Sequence, residues 1–191
     1  VCVDQLSNEK AHFRTMLADQ ESNKIKLTVV IIGKNEEQFI AKSIQSALAG
    51  GAQLDGLEVI FVDSASTDRS VEIATQFPIR ILQLRPDWPL CVAAGRYTGF
   101  LHSRGEYILF LDGDAEIEEE WLLRAVGFMD DNPQYGAIAG VLDEEYVTPQ
   151  GEHVGGVQNV FGQDTSKEIV QCKSLGGIAM YRRQAMEQAG T

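Results

Sequence analysis

Two aspartates separated by one glycine, Asp112-Gly113-Asp114, directly follow the apolar run Tyr107–Leu111. In an extended chain, residues i and i+2 lie on the same face, and the glycine lets the backbone bend so that both carboxylates can approach one ion. Both aspartates are ionised at neutral pH, so they repel each other unless a cation or solvent lies between them. A hard divalent cation, Mn2+ or Mg2+, completed by substrate phosphate oxygens, fits this pattern.

An aspartate pair of this kind is weakly specific alone, and its position at the end of a strand gives it weight. A calcium-binding loop that starts at Asp112 is excluded, because Ile117 stands where glycine is needed and Leu123 where the bidentate glutamate is needed. The acidic run over 116–120 indicates the solvated first turn of the next helix.

A third carboxylate, Asp63, closes another apolar run. We interpret it as a ligand-binding residue, because a carboxylate at this distance has no expected role in capping the next helix. Ser66 or Thr67 is expected to cap that helix, and Asp68 favours its first turn.

Strand and helix signals alternate through the first two thirds of the chain. Short apolar runs predict buried strands over Leu27–Ile32, Leu57–Val62, Ile79–Leu84 and Tyr107–Leu111. Helices are predicted between them over Glu36–Ala49, Thr67–Phe77 and Cys91–Arg104. This alternation predicts an α/β fold with a mostly parallel sheet, in which ligands bind beyond the carboxyl ends of the strands.

The two ends of the chain are less regular. We expect residues 1–24 to form a helical extension and residues 25–191 to form the main domain. After Leu142 a smaller mixed part is predicted, with strand-like pieces at Val157–Phe161 and Glu168–Cys172, and this part looks incomplete. Because the chain begins at Val1 and not at methionine, we expect a fragment.

Composition narrows the function class. The net charge of −12 argues against a nucleic-acid partner, and it implies that a phosphorylated ligand would need a cation beside it. No apolar run approaches the roughly 20 residues of a membrane span. The three scattered cysteines favour reduced thiols. We therefore expect a cytoplasmic location, with any membrane association made through parts outside this chain.

The first strand is followed by Gly33-Lys34-Asn35-Glu36-Glu37. This segment has neither the glycine pattern of a dinucleotide fold nor that of a phosphate-binding loop, so a dehydrogenase or a P-loop enzyme is disfavoured. A nucleotidyltransferase stays an alternative, although a Gly-rich basic loop would be expected here.

An ordered set of motifs resembles family 2 glycosyltransferases from about Leu27 to the C-terminus. These motifs are Val29–Glu37, Val59–Asp68, Ala93–Gly99, Gly105–Asp114, Trp121-Leu122 and Gly176–Arg183. The resemblance implies a GT-A fold and metal-assisted, inverting transfer of a sugar. The implied donor is a nucleotide-diphospho-sugar, with a UDP-sugar as first choice, and the acceptor is a saccharide or lipid-linked hydroxyl.

The resemblance also implies how the donor is held. Glu36 and Asp63 match positions that contact the nucleoside, Asp63 through the base, and Asn35 belongs to the same nucleotide-sugar-binding set. Arg96 matches a basic residue that approaches the diphosphate.

The metal and the sugar are assigned in the same way. Asp112 resembles the carboxylate near the ribose and the metal, Asp114 the principal metal ligand, and Gly113 between them is part of the nucleotide site. Gly176 and Gly177 resemble the segment that walls the sugar and acceptor site.

Three departures from the family pattern matter. Tyr97 stands where many relatives have asparagine, and Ala65 where glycine is common. The general base of the family follows the segment that matches Gly176–Arg183, and here that interval holds only Glu187, which looks like a surface residue. We expect the base beyond Thr191. A binding module without transfer activity therefore stays a second alternative, and Asp143, Glu144 and Glu145 are other acidic candidates.

Overall fold

A computed structural model describes residues 24–148, 150–167, 170, 175 and 177–190. Its strands are β1 Leu27–Gly33, β2 Leu57–Asp63, β3 Arg80–Gln83, β4 Tyr107–Asp112, β5 Ala137–Ile138, β6 Glu144–Val147, β7 His153–Val157 and β8 Ala179–Arg182. Its helices are α1 Ile40–Gly50, α2 Ser70–Ala74, α3 Val92–His102, α4 Trp121–Asp131 and α5 Arg183–Ala189. The expected N-terminal helix and the expected strand Glu168–Cys172 lie outside the described residues, except for Lys24 and Val170, which are in no helix or strand.

The main sheet has six strands in the order β3-β2-β1-β4-β8-β5. The four strands β3, β2, β1 and β4 are parallel, and β8 runs antiparallel to both β4 and β5. This arrangement confirms the predicted α/β fold with a mostly parallel sheet. It also brings the carboxyl ends of β1, β2 and β4 to one edge.

Both faces of the sheet are buried at β1, β2 and β4, as the apolar runs predicted, whereas the edge strand β3 is partly exposed and the expectation that it is buried is wrong. Along β1, Val29 and Ile31 pack in the cluster that includes α1 and α4 side chains, whereas Val30 and Ile32 pack in the cluster that includes Phe100 of α3. Successive strand residues point to opposite faces, so a continuous apolar run supplies both clusters.

Two helices begin later than predicted. Residues 36–39 form a turn before α1, in which the Glu36 N–H donates to Ser70 at the start of α2 and the Glu37 N–H donates to Asp68 of the loop after β2. The predicted helix Thr67–Phe77 is reduced to α2, Ser70–Ala74, and the Thr67 N–H ahead of it donates to Asn35 Oδ1. Helix α3 matches its prediction within two residues at each end.

The region after Leu142 is a mixed part, as expected. Strands β6 and β7 form an antiparallel hairpin of their own, and β8 returns to the main sheet beside β4. The strand predicted over Val157–Phe161 is wrong: β7 ends at Val157, and Asn159, with φ 48°, begins a turn that its side chain closes onto Gln163. Among the described helices, none has the length and apolar character needed to cross a bilayer.

Candidate functional site

The carboxyl ends of three parallel strands meet at one edge. Gly33 at the end of β1 is in register with Asp63 of β2, and Ile32 is in register with Asp112 of β4. The two carboxylates that close apolar strands therefore flank the end of β1 on either side. The edge predicted to carry the chemistry is the edge where these residues meet.

The chain leaves the sheet within the Asp112-Gly113-Asp114 motif. The Gly113 N–H donates to Ile32 O at 2.8 Å, and the Ala115 N–H donates to Asp112 O at 3.0 Å, so a turn begins immediately after β4. A Cβ at position 113 would lie 3.0 Å from Glu36 Cγ and 3.2 Å from Ile32 O. A side chain at position 113 would therefore require the Glu36 side chain or the end of β1 to shift by a few tenths of an ångström.

Glu36 brings a further carboxylate to the motif. Burial raises the pKa of Glu36 above its ordinary value, and the charges of Asp114, Asp68 and Asp112 raise it further. These four groups concentrate negative charge at the carboxyl edge, which is the electrostatic setting that a bound cation relieves.

The donor set limits how a cation could be held. Within the described part of the chain, no group of three or more His, Cys, Asp or Glu side chains is arranged to hold a metal ion. Asp112 and Asp114 offer hard oxygen donors, and Mg2+ is commonly held by one or two carboxylates plus substrate phosphates. The residues therefore fit a cation that arrives with a phosphorylated ligand, and do not form a complete protein cage.

Arg96 of α3 reaches the same motif from the other face of the sheet. Its Nη2 donates to Asp112 Oδ1 at 3.1 Å, and the two side chains are 27% and 40% exposed. Gly177 lies against this guanidinium, because a Cβ at position 177 would be 2.8 Å from Arg96 Nη2. The structure thus joins Arg96, Asp112 and Gly177, while Gly176 lies outside the described residues.

The loops after β1 and β2 are linked by reciprocal hydrogen bonds. The Asn35 N–H donates to Ser66 Oγ at 2.8 Å, and the Thr67 N–H donates to Asn35 Oδ1 at 2.8 Å. Ser66 and Thr67 were expected to cap the next helix, and that expectation is wrong because Asn35 engages both residues. Capping preferences depend only on neighbouring residues and do not indicate a partner that lies 31 residues from Ser66 and 32 from Thr67.

Asp68 and Ser70 extend the linkage, and the sequence did not single them out as linking residues. Asp68 Oδ2 accepts the Glu37 N–H at 3.0 Å, and Ser70 Oγ accepts the Glu36 N–H at 2.7 Å. Burial acts against ionisation of Asp68, but hydrogen bonds from Ser70 and from the Glu37 N–H outweigh it and hold the pKa of Asp68 below its ordinary value. Asp68 is therefore an ionised link between the two loops, and its side chain also receives the N–H of Ser70 at the start of α2.

Asp63 is fully buried. The two carboxylate oxygens of Asp63 lie 3.3 and 3.1 Å from the backbone nitrogen of Ser66 and accept its N–H. Ala65, in the turn between Asp63 and Ser66, has φ 59°. As expected, Asp63 does not cap α2, whose N-cap is Arg69, but its carboxylate closes the turn after β2 by accepting the Ser66 N–H. Its role toward a nucleobase stays a prediction.

Glu187 lies away from this edge. It lines a cavity of about 300 Å³ together with Lys24, Arg104, Glu106 and Arg183. Since β8 runs antiparallel to β4 and α5 begins where β4 starts, this cavity is at the amino edge of the sheet. The location agrees with the interpretation of Glu187 as a surface helix residue.

Comparison with known proteins adds a family and a set of relatives. The model of the family described as glycosyl transferase family 2 matches residues 28–190. Glycosyltransferase AglE of Haloferax volcanii is 33% identical over 103 residues, which are 52% of this chain and 34% of that protein. Poly(ribitol-phosphate) beta-N-acetylglucosaminyltransferase TarS of Staphylococcus aureus is 24% identical over 159 residues, which are 78% of this chain and 25% of TarS.

Solved structures share the fold. S. aureus TarS 1–349 in complex with UDP-GlcNAc superposes with a TM-score of 0.62 at 22% identity, over 86% of this chain and 47% of that one. Mannosyltransferase PcManGT from Pyrobaculum calidifontis, in complex with GDP-Man and Mn2+, superposes with a TM-score of 0.63 at 23% identity, over 88% and 47%. The chain spans less than half the length of each of these relatives.

Proposed function

The chain belongs to glycosyl transferase family 2, and we propose that it holds a nucleotide-diphospho-sugar with a divalent cation and transfers the sugar to an acceptor hydroxyl with inversion. Its fold is the GT-A fold of its structural neighbours. Membership and fold leave the donor, the acceptor and the metal open. The residues at the carboxyl edge carry the proposal for these.

The observation that carries the proposal is the convergence of Glu36, Asp112 and Asp114, with Arg96 paired to Asp112. Burial raises the pKa of Glu36, and the charges of Asp114, Asp68 and Asp112 raise it further, so several carboxylates lie close enough to act on one another. An anionic diphosphate would be repelled by this edge. A cation bound between the carboxylates and the diphosphate resolves the conflict.

Asp112 and Asp114 are the residues that would hold the cation. When bound, Mn2+ or Mg2+ would neutralise the charge that builds on the departing diphosphate. Asp114 is exposed and its carboxylate is free to turn toward a ligand, whereas Asp112 already shares one oxygen with Arg96. Arg96 contributes a second positive charge on the diphosphate side of the motif.

The nucleoside would lie between the two linked loops. Asn35 and Glu36 form one wall, and Asp63 lies buried beneath the other, where a carboxylate can accept a hydrogen bond from the imino group of a base. A UDP-sugar is the first choice of donor. TarS structures contain UDP and UDP-GlcNAc, whereas PcManGT contains GDP-Man, so relatives of this fold accept either base.

A base must take the proton of the attacking hydroxyl, and Glu187 is at the wrong edge for that role. Asp143, Glu144 and Glu145 on or beside the exposed hairpin are candidates, as is a carboxylate outside the 191 residues. Curated relatives act on acceptors as different as poly(ribitol-phosphate) and cholesterol, so a saccharide or a lipid-linked hydroxyl both fit.

A thermal-shift screen tests the proposal. UDP-glucose, UDP-GlcNAc, GDP-mannose and an unrelated anion, inorganic sulfate, are each added with Mn2+ and with excess chelator. We expect a nucleotide sugar to raise the melting temperature only with Mn2+, since ligand binding stabilises the folded state by mass action. Stabilisation by no nucleotide sugar under either condition would contradict the proposal. Donor binding without transfer of the sugar to any acceptor, and so without release of the nucleoside diphosphate, would favour the binding-module alternative.

A further inference from the structure

The Arg96 guanidinium donates to one of the two carboxylate oxygens of Asp112, a residue proposed to hold the cation. Arg96 Nη2 is 3.1 Å from Asp112 Oδ1, and carboxylate oxygens are the donors that a hard divalent cation prefers. Asp112 is 40% exposed, so the pairing is accessible to ions from solvent. Arg96 and a divalent cation are therefore competitors for one carboxylate.

The guanidinium is incompletely satisfied where it lies. Within the described residues, the Arg96 Nε atom is buried and has no hydrogen-bond partner. A buried N–H donor without an acceptor is unfavourable, so this position of the side chain is poorly held. An anion placed beside Arg96 would supply the missing acceptor and draw the guanidinium off Asp112.

Gly177 provides the space for the pairing. A Cβ at position 177 would lie 2.8 Å from Arg96 Nη2, closer than such atoms approach in proteins. The atom that would have to move is the end of a flexible side chain and not backbone. A methyl group at position 177 would therefore displace Arg96 from Asp112 and leave the sheet in place.

We propose that Arg96 is an exchangeable counter-ion of Asp112: it blocks the metal position in the donor-free chain and is released by the donor diphosphate, with Gly177 keeping room for the blocked state. The proposal rests on the proposed function, because it concerns the same cation and donor. Its consequence is that Mn2+ binds weakly without nucleotide. UDP raises the Mn2+ affinity both by adding ligands and by removing Arg96 from Asp112.

The test measures Mn2+ binding to the whole chain without nucleotide, from the electron paramagnetic resonance signal of free Mn2+. Arg96→Met removes the competing group and should tighten Mn2+ binding by about 3- to 10-fold, the range expected for a partly exposed charged hydrogen bond. Gly177→Ala keeps every charge and should tighten Mn2+ binding in the same direction. Lys34→Met is the matched control, because it removes an exposed positive charge from the loop after β1 and should change the affinity by less than about 2-fold.

The outcomes separate the switch from the proposed function. Tighter Mn2+ binding in the Arg96→Met and Gly177→Ala variants, together with weaker UDP binding by Arg96→Met in saturating Mn2+, supports the switch. Unchanged Mn2+ affinity in both variants, or equal tightening by Lys34→Met, overturns it. If Arg96→Met fails to fold, Gly177→Ala alone decides. Failure of the unaltered chain to bind Mn2+ even with UDP would instead count against the proposed function.

Discussion

Asn35 Oδ1 accepts the backbone N–H of Thr67 at 2.8 Å, so the loop after β1 directly holds the loop after β2. Asn35 adopts φ 61°, a left-handed conformation that asparagine tolerates better than most residues. The bond fixes the distance between the two walls proposed to enclose the nucleoside. A preorganised pair of walls reduces the ordering cost of binding.

Replacing Asn35 by glycine isolates this bond, since glycine accepts the same backbone conformation without strain. We expect Asn35→Gly to weaken UDP binding in Mn2+ by about 3- to 10-fold, from the loss of roughly one hydrogen bond. Isothermal titration calorimetry measures the effect, and Gly127→Ala, on a helix position with open space around it, is the control. Unchanged UDP affinity in Asn35→Gly would show that the bond between the two loops does not contribute to UDP binding.

Asp63 is predicted to select the nucleobase. Asp63→Asn keeps a side-chain acceptor for the Ser66 N–H, but it replaces one carboxylate oxygen by a donor. We expect the preference between UDP and GDP to fall by about 10-fold or more, because a buried polar group left unpaired costs about 1–3 kcal/mol. Competition binding of UDP and GDP in Mn2+ measures the ratio. A preserved ratio would assign Asp63 to the turn alone.

The pKa of Glu36 should change when a divalent cation binds at the site. Burial, then Asp114, Asp68 and Asp112, raise the pKa of Glu36 above its ordinary value, so its proton is lost at a higher pH than in the unfolded chain. Adding Mg2+ should lower this pKa toward the ordinary value, because the cation offsets the neighbouring carboxylates. Carbon-detected nuclear magnetic resonance titration measures it, with the exposed Glu72, paired with Arg69, as the group that should not respond.

The upward shift of the Glu36 pKa also predicts how the free energy of unfolding depends on pH. Since the folded-state pKa of Glu36 is raised, ionisation of Glu36 destabilises the folded chain as the pH rises through that pKa. Glu36→Gln should therefore increase the free energy of unfolding at neutral pH, and the gain should vanish below the ordinary pKa of glutamate. A decrease at neutral pH would show that Glu36 is held by favourable contacts instead.

The pKa of Glu58 shifts in the opposite direction, below its ordinary value. It is 6% exposed, and although burial opposes its ionisation, hydrogen bonds from Thr28, Arg80 and Arg104 outweigh that effect and lower its pKa. The contribution of ionised Glu58 to the free energy of unfolding is present above the ordinary pKa of glutamate and is lost as the pH falls through the folded-state pKa. Glu58→Gln should cost about 1–3 kcal/mol at neutral pH and weaken the dependence of stability on acid.

Urea denaturation at several pH values checks the Glu58 prediction. Glu118→Gln is the matched control, because Glu118 and its partner Arg124 are 61% and 64% exposed and such pairs contribute less than about 1 kcal/mol. Equal losses in the two variants would contradict a special role for the buried carboxylate.

The sequence predicted those features that depend on neighbouring residues. Apolar runs of strand length gave β1, β2 and β4, and carboxylates directly after two of them gave Asp63 and Asp112 at the carboxyl edge. Both follow from local periodicity and from the geometry of parallel sheets. The family motifs added order and spacing, and the predicted family and α/β fold are confirmed.

The contacts that depend on distant residues were not predictable in the same way. Ser66 and Thr67 resemble capping residues because capping preferences depend only on residues within the next helical turn. Their hydrogen-bond partner, Asn35, lies in the loop after β1. The pairing of β8 with β4 joins Phe110 to Ala179, and no local pattern encodes it. The bond from Arg96 to Asp112 likewise needs α3 and β4 to be packed before the two side chains meet.

The most direct test of the account is calorimetric binding of UDP to the unaltered chain and to Asp114→Asn, each with Mn2+ and with excess chelator. We predict that removal of Mn2+ by the chelator weakens UDP binding to the unaltered chain by at least about 10-fold, or ~1.4 kcal/mol. Asp114→Asn, which keeps the size of the side chain and loses its charge, should bind UDP equally weakly under both conditions. Equal UDP affinity of the unaltered chain with and without Mn2+ would contradict the central claim.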